Sequence, residues 1–180
     1  KRVWSLRGPD DRKSVYAVHQ GFAAVSRDGR RSALLDYNGE ALLIDERGKV
    51  VARVAIAEPD AQVGNRLGPV GGVGVAISDD GFLAALAVRG QLAIGLRDKL
   101  SVAATDAVSS VAVSADGRGV VLGLDAGQVQ MRSPAGEVVW TTDIGGVGVR
   151  AVALADGQII ACNGDGEVVW LSGEGGITRR

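Results

Sequence analysis

The chain has one histidine, one cysteine, four prolines and seven aromatic residues in 180. Each shortage removes a class of function. With His19 alone, and with no G-x-S-x-G string, a hydrolytic triad has no general base in place. His19 follows an apolar stretch beside Gln20-Gly21 and reads as a structural or solvated side chain. Cys162 alone rules out an internal disulfide framework. It ends an apolar run, where a small buried hydrophobe is the expected role. No apolar run approaches the ~20 residues that a membrane helix needs. With aromatics at 4% and hydrophobic residues at 46%, the core has to be built from Val, Ala, Leu and Ile. Net charge is −1 and the basic residues are dispersed apart from Arg30-Arg31 and Arg179-Arg180, so a nucleic-acid-binding face is not expected. The chain starts at Lys1. No signal peptide is visible, which favours a cytoplasmic chain, but a start at Lys1 rather than Met fits an upstream segment that was removed or not included, and a removed signal would make the chain secreted or envelope-bound.

What the chain has in excess is glycine, 27 residues of 180, roughly twice the usual ~7%. The glycines punctuate short β-rich runs. The clearest case is residues 110–142, in which Asp116-Gly117, Asp125-Ala126-Gly127 and Pro134-Ala135-Gly136 separate four runs. Asp-Gly between β-rich runs is a strong hairpin signal because glycine accepts the positive φ of the turn. The second run, GVVLGL, is apolar on both faces, which suits a strand covered on both sides. No window sustains apolar residues at i, i+3, i+4 and i+7, so helix is disfavoured. FLAALAV at 82–88 has helix-forming residues, yet its register with the other units places it as a second strand.

The pattern recurs. Units are expected at 22–56, 73–104, 110–142 and 149–180, preceded by a half unit at 1–18 that resembles the third and fourth strands of a unit. Asn38-Gly39 is the best two-residue hairpin turn of the first full unit. The glycines of the Asp-Gly turns, Gly29, Gly81, Gly117 and Gly157, are 52, 36 and 40 residues apart. The long interval contains residues 57–72, a polar, insertion-like loop. The string GGVGV occurs at Gly71 and Gly145, each time leading into a first strand, and GEVVW at Gly136 and Gly166. In this register the first GEVVW opens a fourth strand and the second a third strand. Either identical strings occupy different strands or one assignment is slipped.

Several chemical readings fail on spacing. GPVGGVGVA at 68–76 lacks the Gly-Lys-Ser/Thr ending of a phosphate loop and precedes a strand. Asn163-Gly164-Asp165-Gly166-Glu167 is too short for a calcium loop and suits a hairpin turn. Asp10-Asp11 and Asp79-Asp80 are adjacent pairs, and neighbours on a strand point to opposite faces. Trp4, Trp140 and Trp170 each end a Val-rich or short run and suit packing between units. No catalytic residue, cofactor or metal site is expected.

The S-x-D-G turns at Ser26, Ser78 and Ser114, the hairpin spacing and the GEVVW strings resemble WD40-like and quinoprotein-like β-propeller repeats. The Gly-His and Trp-Asp signatures of WD40 repeats are absent, since Trp140 precedes Thr141 and Trp170 precedes Leu171. The resemblance implies an all-β chain of four-stranded antiparallel blades, about four and a half of them. They do not obviously close a ring, because the N-terminal half unit and the C-terminus both offer fourth strands. A segment of a larger propeller, a pairing of two copies and a capped open array remain as explanations. The function expected on this basis is non-catalytic: a protein-interaction or assembly module, with protein partners, self-association or a larger complex. The 57–72 loop is the expected contact, through Asn65 and Arg66. The rival readings are a propeller enzyme or ligand-binding protein whose active residues lie outside this chain, and a cell-surface or envelope propeller.

Overall fold

The computed structural model describes residues 22–35, 40–56, 73–88, 91–155 and 157–180. These form sixteen strands in four antiparallel meanders. The first sheet holds β1 (Phe22–Val25), β2 (Arg31–Leu35), β3 (Glu40–Asp45) and β4 (Val50–Ala55). The second holds β5 (Val73–Ile77), β6 (Leu83–Val88), β7 (Gln91–Leu96) and β8 (Lys99–Ala104). The third holds β9 (Val108–Val113), β10 (Val120–Leu124), β11 (Gln128–Arg132) and β12 (Val138–Asp143). The fourth holds β13 (Val149–Ala155), β14 (Gln158–Asn163), β15 (Val168–Ser172) and β16 (Ile177–Arg179). No helix occurs among the described residues, so none is long and apolar enough to cross a membrane.

The sheets stack in chain order. β1 lies beside β5, β5 beside β9 and β9 beside β13. The second strand of each inner sheet is therefore covered on both faces, and its period-2 alternation sends side chains to two different cores. In β6, Ala84 and Leu86 pack against Ala33, Leu35 and Leu43 of the first sheet. Leu83, Ala85 and Ala87 of the same strand pack against Val120, Leu122 and Leu124 of the third. A third core joins Val121, Val129 and Ile144 to Ile159, Ala161, Val169 and Leu171. Burial on both faces explains why FLAALAV is a strand despite its helix propensity: pairing and packing outweigh an intrinsic preference of tenths of a kcal/mol per residue.

The two GEVVW strings do occupy different strands. Val138 opens β12, the fourth strand of its sheet, and Val168 opens β15, a third strand. The GGVGV strings are not equivalent either: Val73, Gly74 and Val75 lie inside β5, whereas Gly145 to Gly148 precede β13.

Candidate interaction surfaces

One end of the stack is built from a repeated turn. In the first three sheets the S-x-D-G serine, buried at Ser26 and Ser78 and half-buried at Ser114, closes the first hairpin with its own side chain. Ser26 Oγ donates to Asp28 Oδ1 at 2.7 Å and accepts the Arg31 N–H at 3.0 Å. Ser78 Oγ donates to Asp80 at 2.6 Å and accepts the Leu83 N–H at 3.0 Å. Ser114 Oγ accepts from Arg118 and Gly119 at 2.8 and 2.9 Å. The aspartate accepts a backbone N–H two residues on, and the glycine takes φ near +70°, as at Gly29, Gly81 and Gly117. The turns are also joined to one another. The Arg27 N–H donates to the Asp79 carbonyl at 3.2 Å, and the Asp79 N–H donates to the Ala115 carbonyl at 3.1 Å. The fourth sheet departs from this plan. It lacks the serine, and Ala155 pairs with Gln158 across a two-residue loop.

The capping bonds hold three carboxyls below the ordinary aspartate value of 3.8. The Arg30 backbone N–H and then the Ser26 hydroxyl act on Asp28. The Lys49 backbone N–H leads at Asp45, in the turn between β3 and β4. The Ser114 hydroxyl and then the Arg118 backbone N–H act on Asp116. A folded value below the unfolded one contributes stability that is complete above 3.8 and is lost as pH falls through the folded value. Urea denaturation is therefore expected to show constant stability down to about pH 4 and a loss below it. Replacing Asp28, Asp45 and Asp116 together by asparagine should flatten that acid limb. An unchanged limb would show that the caps do not carry it.

Between the first two sheets the turns enclose a cleft of about 430 Å³. Asp28 and Arg30 line it from one turn, Asp45, Glu46 and Arg47 from the next, and Asp80 and Phe82 from the second sheet. Arg31 crosses between the sheets to pair with Asp98. Arg30 lies 3.9 Å from Asp28 and 3.7 Å from Glu46. The Asp28, Asp45 and Asp80 carboxylates are engaged by backbone N–H groups of their own turns. That leaves Phe82 as the conspicuous side chain, 45% exposed. The Arg97 guanidinium lies 5.7 Å from its ring centroid, and the Arg97 N–H donates to the Phe82 carbonyl at 2.6 Å. Arg97 sits at φ +57°, the one non-glycine residue at positive φ among the described residues. A two-residue hairpin favours glycine there, so the arginine is held at a conformational cost.

A second surface is the outward face of the fourth sheet. Its turns and bulges align with those of the third: Ser172 closes the same turn as Ser133, and the β13–β14 bulge matches the β9–β10 bulge. Val121 and Val129, fully buried by the fourth sheet, correspond to Ile160 and Val168. In the fourth sheet these positions are uncovered. Val168 is 39% exposed, Ile160, Cys162 and Trp170 are half-buried, and Ala151 and Ala153 are exposed. Arg179 shields part of this face, 4.7 Å from the Trp170 ring.

Asn65, Arg66 and the whole 57–72 loop lie outside the described residues, as do His19, Trp4, Asp10-Asp11, Asn38-Gly39 and the half unit at 1–18. The strands that flank the loop, β4 and β5, reach it at the end of the sheets opposite the cleft. Asn163 to Glu167 form a hairpin turn, in which Asn163 Oδ1 accepts from Asp165 at 3.2 Å and Glu167 at 2.9 Å. No group of three His, Cys, Asp or Glu among the described residues could hold a metal ion. Cys162 is half-buried, with Sγ 3.6 Å from the Asn163 carbonyl. Trp140 packs on the third core, and its Nε1 donates to the Gly173 carbonyl at 3.0 Å. Phe82, read as a strand residue, stands in the turn just before β6. The signal was present: after S-x-D-G the other two units carry Arg30 and Arg118, and this one carries phenylalanine.

No family model matches the chain, and neither does any curated protein. Solved structures do match in shape. One described as the structure of U3-55K superposes with a TM-score of 0.61 at 20% identity, over 83% of this chain and 47% of the other. A crystal structure of RRP9 WD40 repeats gives 0.60 at 20% identity, over 82% and 46%. The chain thus spans less than half the length of these two neighbours. Four antiparallel meanders stacked through their first strands, superposing on WD40 repeats, give the chain the fold of WD40-type β-propeller blades.

Proposed function

We propose that the chain is a non-catalytic propeller module that binds a protein partner. Phe82 carries this reading. An aromatic ring nearly half exposed in a charged cleft, braced by an arginine at positive φ, is a costly arrangement at a turn position that carries a solvated arginine in the other two units. Aromatic and arginine side chains dominate the energetics of protein interfaces. The 57–72 loop, with Asn65 and Arg66, is proposed as a second contact at the other end of the sheets.

Proximity labelling with the full chain, with Phe82→Ala, with Arg97→Gly and with the loop excised tests both contacts. Arg97→Gly relieves the backbone and removes the brace, so it should leave the melting temperature equal or higher while reducing partner labelling at least tenfold. Excision should leave folding intact and remove a further set of labelled partners. The same labelled proteins at the same yield in all four would refute the reading.

A further inference from the structure

We infer that residues 1–18 dock on the outward face of the first blade, with Trp4 seated over Leu42 and Ile44. This contact is separate from the cleft. Residues paired across antiparallel strands share one side of a sheet. Ala23 pairs with Leu34 and Leu34 with Leu42, while Val25 pairs with Ser32 and Ser32 with Ile44, so these six side chains share a face. The second blade packs on the opposite face, against Ala33, Leu35, Ala41 and Leu43. Exposure falls from strand to strand across the outward face. Val25 of β1 is 61% exposed and Ala23 is exposed too, Ser32 and Leu34 of β2 are half-buried, and Leu42 and Ile44 of β3 are 7% and 1% exposed. The cores that join the described blades include neither Leu42 nor Ile44. Their cover therefore comes from outside the described residues. It lies over β3 and stops short of β1.

The third and fourth blades show what covers this position. Val169 and Leu171 of β15 share a core with Val129 and Met131 of β11 and Trp140 of β12, the third and fourth strands of the preceding blade. Residues 1–18, outside the described residues, read as a third and a fourth strand and come before β1 in the chain. Their Val3-Trp4 repeats the Val169-Trp170 of β15. In β15, Val169 packs on the third blade, and Trp170 lies half-buried on the opposite side. The same alternation turns Trp4 toward the first blade. A cover made of a third and a fourth strand also leaves Ala23 and Val25 bare. The 57–72 loop is polar and joins the first blade to the second, on the other side of the sheet.

Thiol reactivity of the full chain tests the contact. Cys162→Ser removes the one native thiol. Val25→Cys, Leu42→Cys and Leu86→Cys then each place a single thiol, to be timed against an aromatic disulfide. Leu42→Cys should react on the order of 100-fold more slowly than Val25→Cys. Trp4→Ala should speed Leu42→Cys by roughly tenfold and leave Leu86→Cys, in the core between the first two blades, unchanged. Excising 57–72 should leave the Leu42→Cys rate as it was. A rate at Leu42→Cys that Trp4→Ala does not move, or that the excision raises instead, overturns the proposal. A second readout keeps Trp4 in place. With Trp140→Phe and Trp170→Phe it is the only tryptophan, and its emission in the folded chain should lie to the blue of a solvated indole. Emission at the solvated position overturns the proposal as well.

Discussion

Gly81→Ala is expected to destabilise the protein by about 2–5 kcal/mol, whereas Gly29→Ala, the same residue of the same turn one blade earlier, should cost only about 1–2 kcal/mol. Both glycines sit at nearly the same φ, +73° and +72°, so both substitutions carry the same backbone penalty. They differ in what a methyl group would meet. At Gly29 nothing lies within 4 Å. At Gly81 the new Cβ would stand 2.5 Å from Arg31 Cβ and 2.6 Å from its Cγ. Arg31 cannot swing aside freely, because its guanidinium is tied to Asp98 of the second blade. The excess at Gly81 thus measures how tightly the first two blades are pressed together at this end. Urea midpoints of the two variants give the comparison. Adding Arg31→Gly, which removes both the Cβ and the Cγ that the methyl group meets, to Gly81→Ala should recover most of the excess by non-additivity. Equal losses at the two glycines would show that the blades part easily there.

The double replacement Gln130→Val with Arg132→Leu is expected to leave stability unchanged or to raise it by about 1–4 kcal/mol. Arg132 is 6% exposed, and its contacts are uncharged: its Nε donates to Gln130 Oε1 at 2.7 Å and its guanidinium to the Gly136 carbonyl at 3.0 Å. Burial pushes its pKa down, partly opposed by the charge of Asp106. The corresponding pairs in the first and fourth blades are Leu42 with Ile44 and Val169 with Leu171, all buried and apolar. The architecture therefore has room for aliphatic side chains at both positions. Arg132→Leu alone should instead lose about 1–3 kcal/mol, since the Gln130 carbonyl is left without its donor. Thermal melts of both singles and the double separate the cases. A double variant less stable than the Arg132 single would show that Gln130 contributes to packing in its own right.

The sequence disclosed the parts of this fold that are local. Ser26, Ser78 and Ser114 can be read from the chain because each closes a turn with atoms no more than five residues away. Strand identity was legible where alternation was supported by flanking glycines, as at Val120–Leu124. Repeated strings misled where composition rather than position recurs. The two GGVGV segments share residues and not register, because Val and Gly satisfy a strand edge and a loop alike. The candidate surfaces were less visible. The prominence of Phe82 depends on where β6 begins, a boundary of one residue, and that of Arg97 on a φ that no side chain announces. The open face of the fourth blade is a property of what stands next to it. Ile160 and Val168 look no different in sequence from Val121 and Val129, which are fully covered.

The links from Arg27 to Asp79 and from Asp79 to Ala115 each run through a main-chain hydrogen bond, and the ion pair that the exposed Arg27 and Asp79 side chains add at 3.3 Å contributes little. A basic, an acidic and an aliphatic residue occupy those three positions, so the scaffold should accept varied side chains there, with proline excluded at positions 27 and 79, where it would remove the donor. Randomising Arg27, Asp79 and Ala115 together would then yield a library of altered binding specificities on an unaltered frame, a practical route to engineered recognition.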